Sequence, residues 1–131
     1  MSGSRQEFRV KTLHEPVSHY TDAVRWGDLL FVSGVAPLDQ DARLVSEDIV
    51  VQARKVFENM KEILDAAGAT FADILKVTVF LTDVRDRALV NPVRQEFFGS
   101  ARPASTLIGI NELVVPGMKI EIEAVVGLRT R

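Results

Sequence analysis

The hydrophobic and polar positions of this chain repeat with two different periods, and the change of period divides the sequence into strands and helices. The longest helical pattern covers residues 47–67, where apolar side chains recur on one face and charged ones fall largely on the other. Ser46 precedes this segment in the position of an N-cap, and Gly68 follows it as a natural end. The pattern predicts an amphipathic helix over 47–67.

A second helical pattern is shorter. Its apolar members share one face and end before a glycine: Val93, Phe97, Phe98 and Gly99. Because proline is tolerated at the first helical position, Pro92 predicts a helix that begins there, with Asn91 as its cap.

Alternating and β-branched runs predict the strands. Gly27-Asp28 supplies a turn and predicts a hairpin over 23–34, whereas residues 13–22 form a loop. The other predicted strands are an edge strand at 6–12 and strands at 76–82, 106–110 and 119–126. This order predicts an α+β fold in which a mixed sheet carries both helices on one face. The other face of the sheet must also be buried, and a partner subunit is the simplest element that could bury it.

Length and composition agree with one soluble unit. The chain has 131 residues, which is enough for a single domain over 1–131. Hydrophobic residues make up 47% and charged residues 26%, as in globular proteins. No apolar run is long enough to span a membrane, and the N-terminus has no apolar segment of the kind that secretory signals carry. We therefore expect a cytoplasmic protein.

Charge and residue types exclude several kinds of site. Sixteen basic and eighteen acidic residues give a net charge of −2, without the basic excess of nucleic-acid or membrane-surface binders. The absence of cysteine excludes disulfides, thiolate metal sites and a cysteine nucleophile. His14 and His19 lie five residues apart with no third ligand at metal spacing, so we expect no metal. A Ser-His-Asp triad stays open but has no supporting motif.

Glu121 is the most informative titratable residue. It shares a strand face with Lys119, Glu123 and Val125, and a solvated sheet face is the simplest interpretation. If a neighbouring subunit covers that face, the carboxylate is partly desolvated and can hold or deprotonate a water molecule.

Other polar residues also have two interpretations. Ser33-Gly34 is either a plain strand terminus or backbone that glycine makes approachable to a ligand. Asn91 is most simply a helix cap, and Tyr20 is either core or lid.

Several segments resemble those of one known family, in the same order and with similar gaps, from about Tyr20 to Val126. They are Phe31-Val32-Ser33-Gly34-Val35-Ala36-Pro37, the helix from Gln52 to Gly68, Lys76-Val77-Thr78-Val79-Phe80-Leu81-Thr82-Asp83, Val90-Asn91, Phe97-Phe98, Arg102-Pro103-Ala104 and Ile120-Glu121-Ile122-Glu123-Ala124. This pattern resembles the Rid family, the YjgF-type reactive-intermediate deaminases.

The resemblance implies a chorismate-mutase-like fold and a homotrimeric barrel with sheets inside, helices outside and a cleft at each subunit boundary. It also implies hydrolysis of a small enamine or imine to a carbonyl compound and ammonia, with no metal or organic cofactor. The cleft residues that it implies are Tyr20, Ser33, Gly34, Asn91 and Ser105 for substrate binding, and Glu121 with the backbone of Leu107 for catalysis. The Glu121 carboxylate and a backbone carbonyl would hold the attacking water.

One position departs from the family's pattern. In the deaminating members the residue after Pro-Ala is an arginine that grips the substrate carboxylate, whereas this chain has Ser105. A hydroxyl cannot reproduce the bidentate clamp of a guanidinium, and Arg102 lies at an odd offset along the strand. The departure predicts a roomier, less positive pocket and a substrate other than a simple 2-imino acid. It leaves open that another residue binds a carboxylate.

Three functions stay open on the sequence. The leading hypothesis is a trimeric deaminase acting on a small molecule. The alternatives are a non-catalytic trimer that binds a small metabolite in the same cleft, and a protein-interaction or chaperone-like role on an apolar surface.

Overall fold

A computed structural model describes residues 4–129, in which six strands form one mixed sheet. The strands are β1 (Arg5–Phe8), β2 (Ala23–Trp26), β3 (Leu29–Val35), β4 (Ile74–Leu81), β5 (Ala104–Gly109) and β6 (Ile120–Gly127). They lie in the order β1-β2-β3-β6-β4-β5. Strands β4 and β5 pair in parallel, and the other neighbours are antiparallel. The predicted α+β class with a mixed sheet is confirmed.

Two helices, α1 (Ile49–Ala67) and α2 (Arg87–Phe98), pack against each other, and α1 also contacts β3 and β6. The core lies between the helices and the sheet. Its centre includes Phe57, whose ring lies 5.3 to 6.1 Å from the rings of Phe71, Phe97 and Phe98. Strand β6 contributes every second side chain to this core: Ile120, Ile122, Ala124 and Val126. This alternation is the one that the sequence predicted.

Helix α1 begins two residues later than predicted, because Asp48 rather than Ser46 is its cap. The Asp48 carboxylate accepts hydrogen bonds from the backbone N–H groups of Val50 at 2.8 Å and Val51 at 3.1 Å. The Ser46 hydroxyl instead accepts from the Asp48 N–H at 3.0 Å. A carboxylate at this position also interacts favourably with the helix dipole, which a hydroxyl does not.

We expect Asp48→Ala to lower the free energy of unfolding by about 1 kcal/mol, the usual cost of losing a helix cap. Ser46→Ala should cost less, because only one hydrogen bond outside the helix is lost. Urea unfolding of both variants measures the difference. A larger loss for Ser46→Ala would restore Ser46 as the cap.

Helix α2 begins five residues before the predicted start, so Asn91 and Pro92 lie inside the helix and Asn91 is not its cap. A short 3-10 turn over Val84–Asp86 leads into α2, and the Asp83 side chain caps that turn by accepting from the Arg85 N–H at 3.0 Å. The upstream extension buries Val90 with Val93 and Phe98. This burial offsets the helix hydrogen bond that Pro92 cannot donate.

The sheet face opposite the helices is left uncovered by residues 4–129, and it exposes several large apolar side chains. Phe31 is 47% exposed and Trp26 51% exposed on this face. Other exposed apolar side chains on the same face are Leu29, Leu75 and Ile108. A large uncovered apolar surface is typical of an interface. Within the described range, neither helix is long and apolar enough to cross a membrane.

Candidate functional site

The carboxylate of Glu121 lies directly over Gly34, and this contact forms the centre of the candidate site. Glu121 projects from β6 onto the uncovered face, because its neighbours Ile120 and Ile122 point into the core. A Cβ atom built on Gly34 would lie 2.8 Å from the Glu121 carboxyl carbon and closer still to Oε1. A side chain at position 34 would therefore displace the Glu121 carboxylate from its place over the backbone.

A β-bulge brings Gly34 under Glu121. The pairing of β3 with β6 is regular up to Val32 opposite Ala124, and it resumes with Val35 opposite Ile122. Ser33 and Gly34 are the two residues of β3 within this shift of register. Bulges often lie beside active sites, where they redirect a side chain or the backbone. Here the bulge leaves room for a carboxylate on the face of the sheet.

The surroundings of Glu121 make its carboxylate a stronger proton acceptor than that of a fully solvated glutamate. It is half-buried and forms no ion pair with any residue in the range 4–129. Burial, and secondarily the negative charge of Glu123, raise the pKa of its carboxyl above the ordinary 4.5. A carboxylate with a raised pKa can take a proton from water and return it, as acid–base catalysis requires.

Ser33 ties the bulge to the preceding loop. Its backbone N–H donates to the Asp22 carbonyl at 3.0 Å, and its hydroxyl donates to the Thr21 carbonyl at 2.6 Å. Asp22 is buried, and its carboxylate accepts from the Arg9 guanidinium at 2.8 Å. Both hydrogen-bond donors of Ser33 are therefore used within the chain, and the role of Ser33 in the site is to position Gly34. Only the lone pairs of its hydroxyl oxygen remain to accept from a ligand.

Tyr20 lies near the bulge, on the loop that ends at Asp22. Its ring is 39% exposed, and its hydroxyl accepts from the Val17 N–H at 3.4 Å. Together with Ser33 and Gly34 it lines a pocket of about 20 Å³, which has room for about one water molecule. Glu121 reaches Gly34 from β6 but does not line this pocket. Tyr20, Ser33 and Gly34 therefore line one small pocket together with Asn59 and Ile63 of α1, whereas Glu121 meets Gly34 from the uncovered face.

The remaining predicted residues form a second group at the far end of the sheet. Ser105 and Leu107 belong to the edge strand β5, and their register opposite Val77 and Val79 places their side chains on the helix face. Asn91 is exposed on α2 and lines an open pocket of about 540 Å³. Glu121 is opposite Phe80 on the other face. One chain therefore does not bring the two groups together.

Arg94 also belongs to the second group, and the sequence predictions did not include it. Its Nη2 donates to the Ser105 hydroxyl oxygen at 3.1 Å, so a cation lies beside Ser105 although position 105 itself is neutral. Arg102, the cation that the sequence suggested near Ser105, precedes β5, whereas Arg94 lies on helix α2. Arg94 follows Asn91 by three residues, a spacing that puts the two side chains on one helix face. That spacing was the available signal.

The described residues offer little to a metal ion. Within 4–129, no three His, Cys, Asp or Glu side chains lie close enough together to hold one. The two groups offer a carboxylate, a guanidinium, an amide, hydroxyls and backbone groups to a ligand.

Comparison with known proteins identifies relatives that cover nearly the whole chain. The family model described as Endoribonuclease L-PSP matches residues 11–127. A RutC family protein of Pyrococcus horikoshii is 40% identical over 112 residues, which cover 85% of this chain and 88% of the relative. A Salmonella typhimurium protein named 2-iminobutanoate/2-iminopropanoate deaminase is 38% identical over 112 residues, which cover 83% and 87%. The crystal structure of RidA from an Antarctic Psychrobacter species has a TM-score of 0.88 at 31% identity, covering 94% of this chain and 99% of that one.

Proposed function

We infer the function of this chain from its site and its family: it belongs to the endoribonuclease L-PSP family, which includes RutC and Rid proteins, and we propose that it hydrolyses a small imine or enamine to a carbonyl compound and ammonia. The resemblance to the Rid family is thereby confirmed. Some relatives are named as imine deaminases, and others carry only the name of the RutC family.

The observation that carries the proposal is the Glu121 carboxylate over Gly34. In the proposed reaction this carboxylate accepts a proton from a water molecule whose oxygen attacks the imine carbon. The new C–O bond forms as the C=N π electrons move to nitrogen, which takes a proton. Glu121 passes its proton to the nitrogen and then accepts the hydroxyl proton of the carbinolamine. As the C=O bond forms and the C–N bond breaks, the departing nitrogen takes this second proton and leaves as ammonia. An imine carbon is electrophilic, so a positioned water and a proton acceptor are the groups that the reaction needs.

A second subunit is needed to complete the cleft. Glu121 and Gly34 lie on the uncovered face, whereas Asn91 and Ser105 lie with the helices, so a substrate touched by both groups must lie between two chains. Strand β5 is an edge strand, and alternate backbone groups along it, the region of Leu107 included, point away from β4. In the proposal these edge groups face the neighbouring chain's Glu121.

We expect a trimer in solution, because the apolar uncovered face is then buried around a common axis. Light scattering during size exclusion should give three times the mass of one chain. A stable monomer at micromolar concentration would remove the proposed cleft. A Phe31→Asp variant should weaken the assembly, because it places a charge in the apolar face.

The proposed activity is tested by release of ammonia from imines generated in place, with 2-iminobutanoate and 2-iminopropanoate as the first probes. The protein should accelerate release above the rate in buffer for at least one imine of the panel. Binding of an imine-derived product without any acceleration would favour the alternative, a non-catalytic metabolite-binding trimer. The pocket at Asn91 and Arg94 is the observation that supports this alternative, because it can hold a ligand without Glu121.

The pH profile should report the Glu121 carboxylate. Because only the ionised form accepts a proton, kcat/KM should fall on the acid side through the raised pKa, at a pH above the ordinary glutamate value of 4.5. Glu123→Gln removes one contribution to the raised pKa, so it should move this limb toward lower pH. A limb that does not move in Glu123→Gln would mean that another group titrates.

A further inference from the structure

Arg94 is a cation without an acidic partner among the described residues, and it lies beside Ser105. Across residues 4–129 it forms no ion pair, and its recorded hydrogen bond goes to the Ser105 hydroxyl at 3.1 Å. The nearest acid along α2, Glu96, is paired with Arg54. The positive charge of Arg94 is therefore not neutralised by the residues described.

The pocket into which Arg94 projects has the chemistry of an anion site. It is open, has a volume of about 540 Å³, and is lined by Asn91, Arg94, Ser100 and Arg102 among its polar residues, with Phe98 as an apolar wall. No carboxylate lines it. Two guanidinium groups and an amide without a nearby acid favour a negatively charged ligand.

The guanidinium of Arg94 has donors to spare. It carries five N–H groups, and the Ser105 hydroxyl accepts one of them, which fixes the orientation of the planar group. Within the described residues, the buried side-chain nitrogen that lacks a partner is Nε of Arg9, so no donor of Arg94 is both buried and without a partner. Burial lowers the pKa of the Arg94 guanidinium, which means that its charge is partly desolvated without compensation. An arriving anion would supply that compensation.

We propose that Arg94, oriented by Ser105, is the carboxylate-binding residue of the substrate site, and that the substrate is an imine or enamine that bears a carboxylate. The inference rests on the proposed function and names its substrate class. The small side chain of Ser105 leaves the space that the guanidinium from α2 occupies. In this proposal the carboxylate-binding guanidinium comes from helix α2 instead of strand β5, which is the alternative that the sequence left open, a residue other than Ser105 binding the carboxylate.

A binding experiment tests this without requiring turnover. The probe is 2-oxobutanoate, the stable keto acid that hydrolysis of 2-iminobutanoate would produce, titrated calorimetrically into the assembled protein. Loss of one partner of a charged, hydrogen-bonded pair weakens affinity by roughly 30-fold or more, so Arg94→Ala should show at least that loss. Arg94→Lys keeps the positive charge but not the planar pair of N–H donors, so its affinity for 2-oxobutanoate should lie between those of the natural protein and Arg94→Ala. Ser105→Ala should lose only a few-fold in affinity.

Two controls make the result specific. Arg54→Ala removes an arginine of the same helix layer that is already paired with Glu96, and it should bind 2-oxobutanoate as the natural protein does. Butanone, which lacks the carboxylate, should bind the natural protein and Arg94→Ala equally. Thermal unfolding and size exclusion show whether each variant is folded and assembled.

The inference is overturned if the natural protein does not bind 2-oxobutanoate, or if Arg94→Ala binds it as well as the natural protein or Arg54→Ala does. If binding depends on Arg94 while no imine is hydrolysed, the carboxylate-binding role of Arg94 stands, but the proposed function and the imine substrate class both fail. If imines are hydrolysed and Arg94→Ala changes neither binding nor kcat/KM, the proposed function stands and this inference fails.

Discussion

Replacing Glu121 by glutamine should lower turnover of an accepted imine by about 10²-fold or more, the usual scale for losing a general base. The amide keeps the shape of the side chain but cannot accept a proton from water. Because the effect is on the chemical step, kcat should fall while KM changes little. Single-turnover measurements of ammonia release, beside steady-state kinetics, separate the two.

The stability of the Glu121→Gln variant distinguishes a catalytic from a structural role. The folded protein raises the pKa of this carboxyl, so the folded state holds the proton more tightly than the unfolded state does, and ionisation at neutral pH opposes folding. The variant should therefore unfold at the same temperature as the natural protein or a higher one at pH 7. Glu123→Gln is the matched control on the same strand face and should keep most of its activity. Unchanged turnover in Glu121→Gln would return Glu121 to a solvated sheet face.

Gly34→Ala should also lower kcat strongly, by about 10- to 10²-fold, because the added methyl group displaces the Glu121 carboxylate. A displacement of about 1 Å at a reacting group can cost about 10²-fold in rate. The displaced atoms are at the end of a flexible side chain, so the fold should persist. Circular dichroism and kcat measured on the same preparation check both statements.

Two comparisons make the Gly34 result specific. Gly127→Ala adds a methyl group to the same sheet, where it would meet only the flexible Leu75 side chain at 3.3 Å, and it should be nearly neutral. In the Glu121→Gln background, Gly34→Ala should cost little more, because both changes remove the same function. Additive losses would mean that Gly34 acts on the substrate independently of Glu121.

The sheet and the long helix were predictable because their patterns are strong. The alternation of Ile120, Ile122, Ala124 and Val126 specifies which face of β6 is buried, and therefore where Glu121 points. The ends of the helices were less predictable, because several polar residues near each end can act as caps. Pro92 suggested that helix α2 begins at that residue. The helix begins earlier, at Arg87, because the earlier start buries Val90 in the core.

The residues of the first group were also accessible from the sequence, whereas the contact between Arg94 and Ser105 in the second group was not. Ser33, Gly34 and Glu121 belong to recognisable strands, and their motifs are continuous along the chain. The hydrogen bond between Arg94 and Ser105 joins a helix to an edge strand eleven positions away, and it depends on how α2 packs on the sheet. No local pattern in the sequence specifies that Arg94 and Ser105 come within hydrogen-bonding distance. Likewise, the bulge that brings Gly34 under Glu121 is a property of strand pairing.

The central claim is that each active cleft combines the Glu121 side of one chain with the Arg94 side of its neighbour. Two variants that are each deficient on 2-iminobutanoate, Glu121→Gln and Arg94→Ala, test it directly when they are co-expressed and the mixed assemblies are verified by native mass spectrometry. With random mixing in a cyclic trimer, about one quarter of the clefts receive both unaltered sides. We expect about one quarter of the natural activity to return. Activity no higher than that of the separate variants would contradict a site shared between chains.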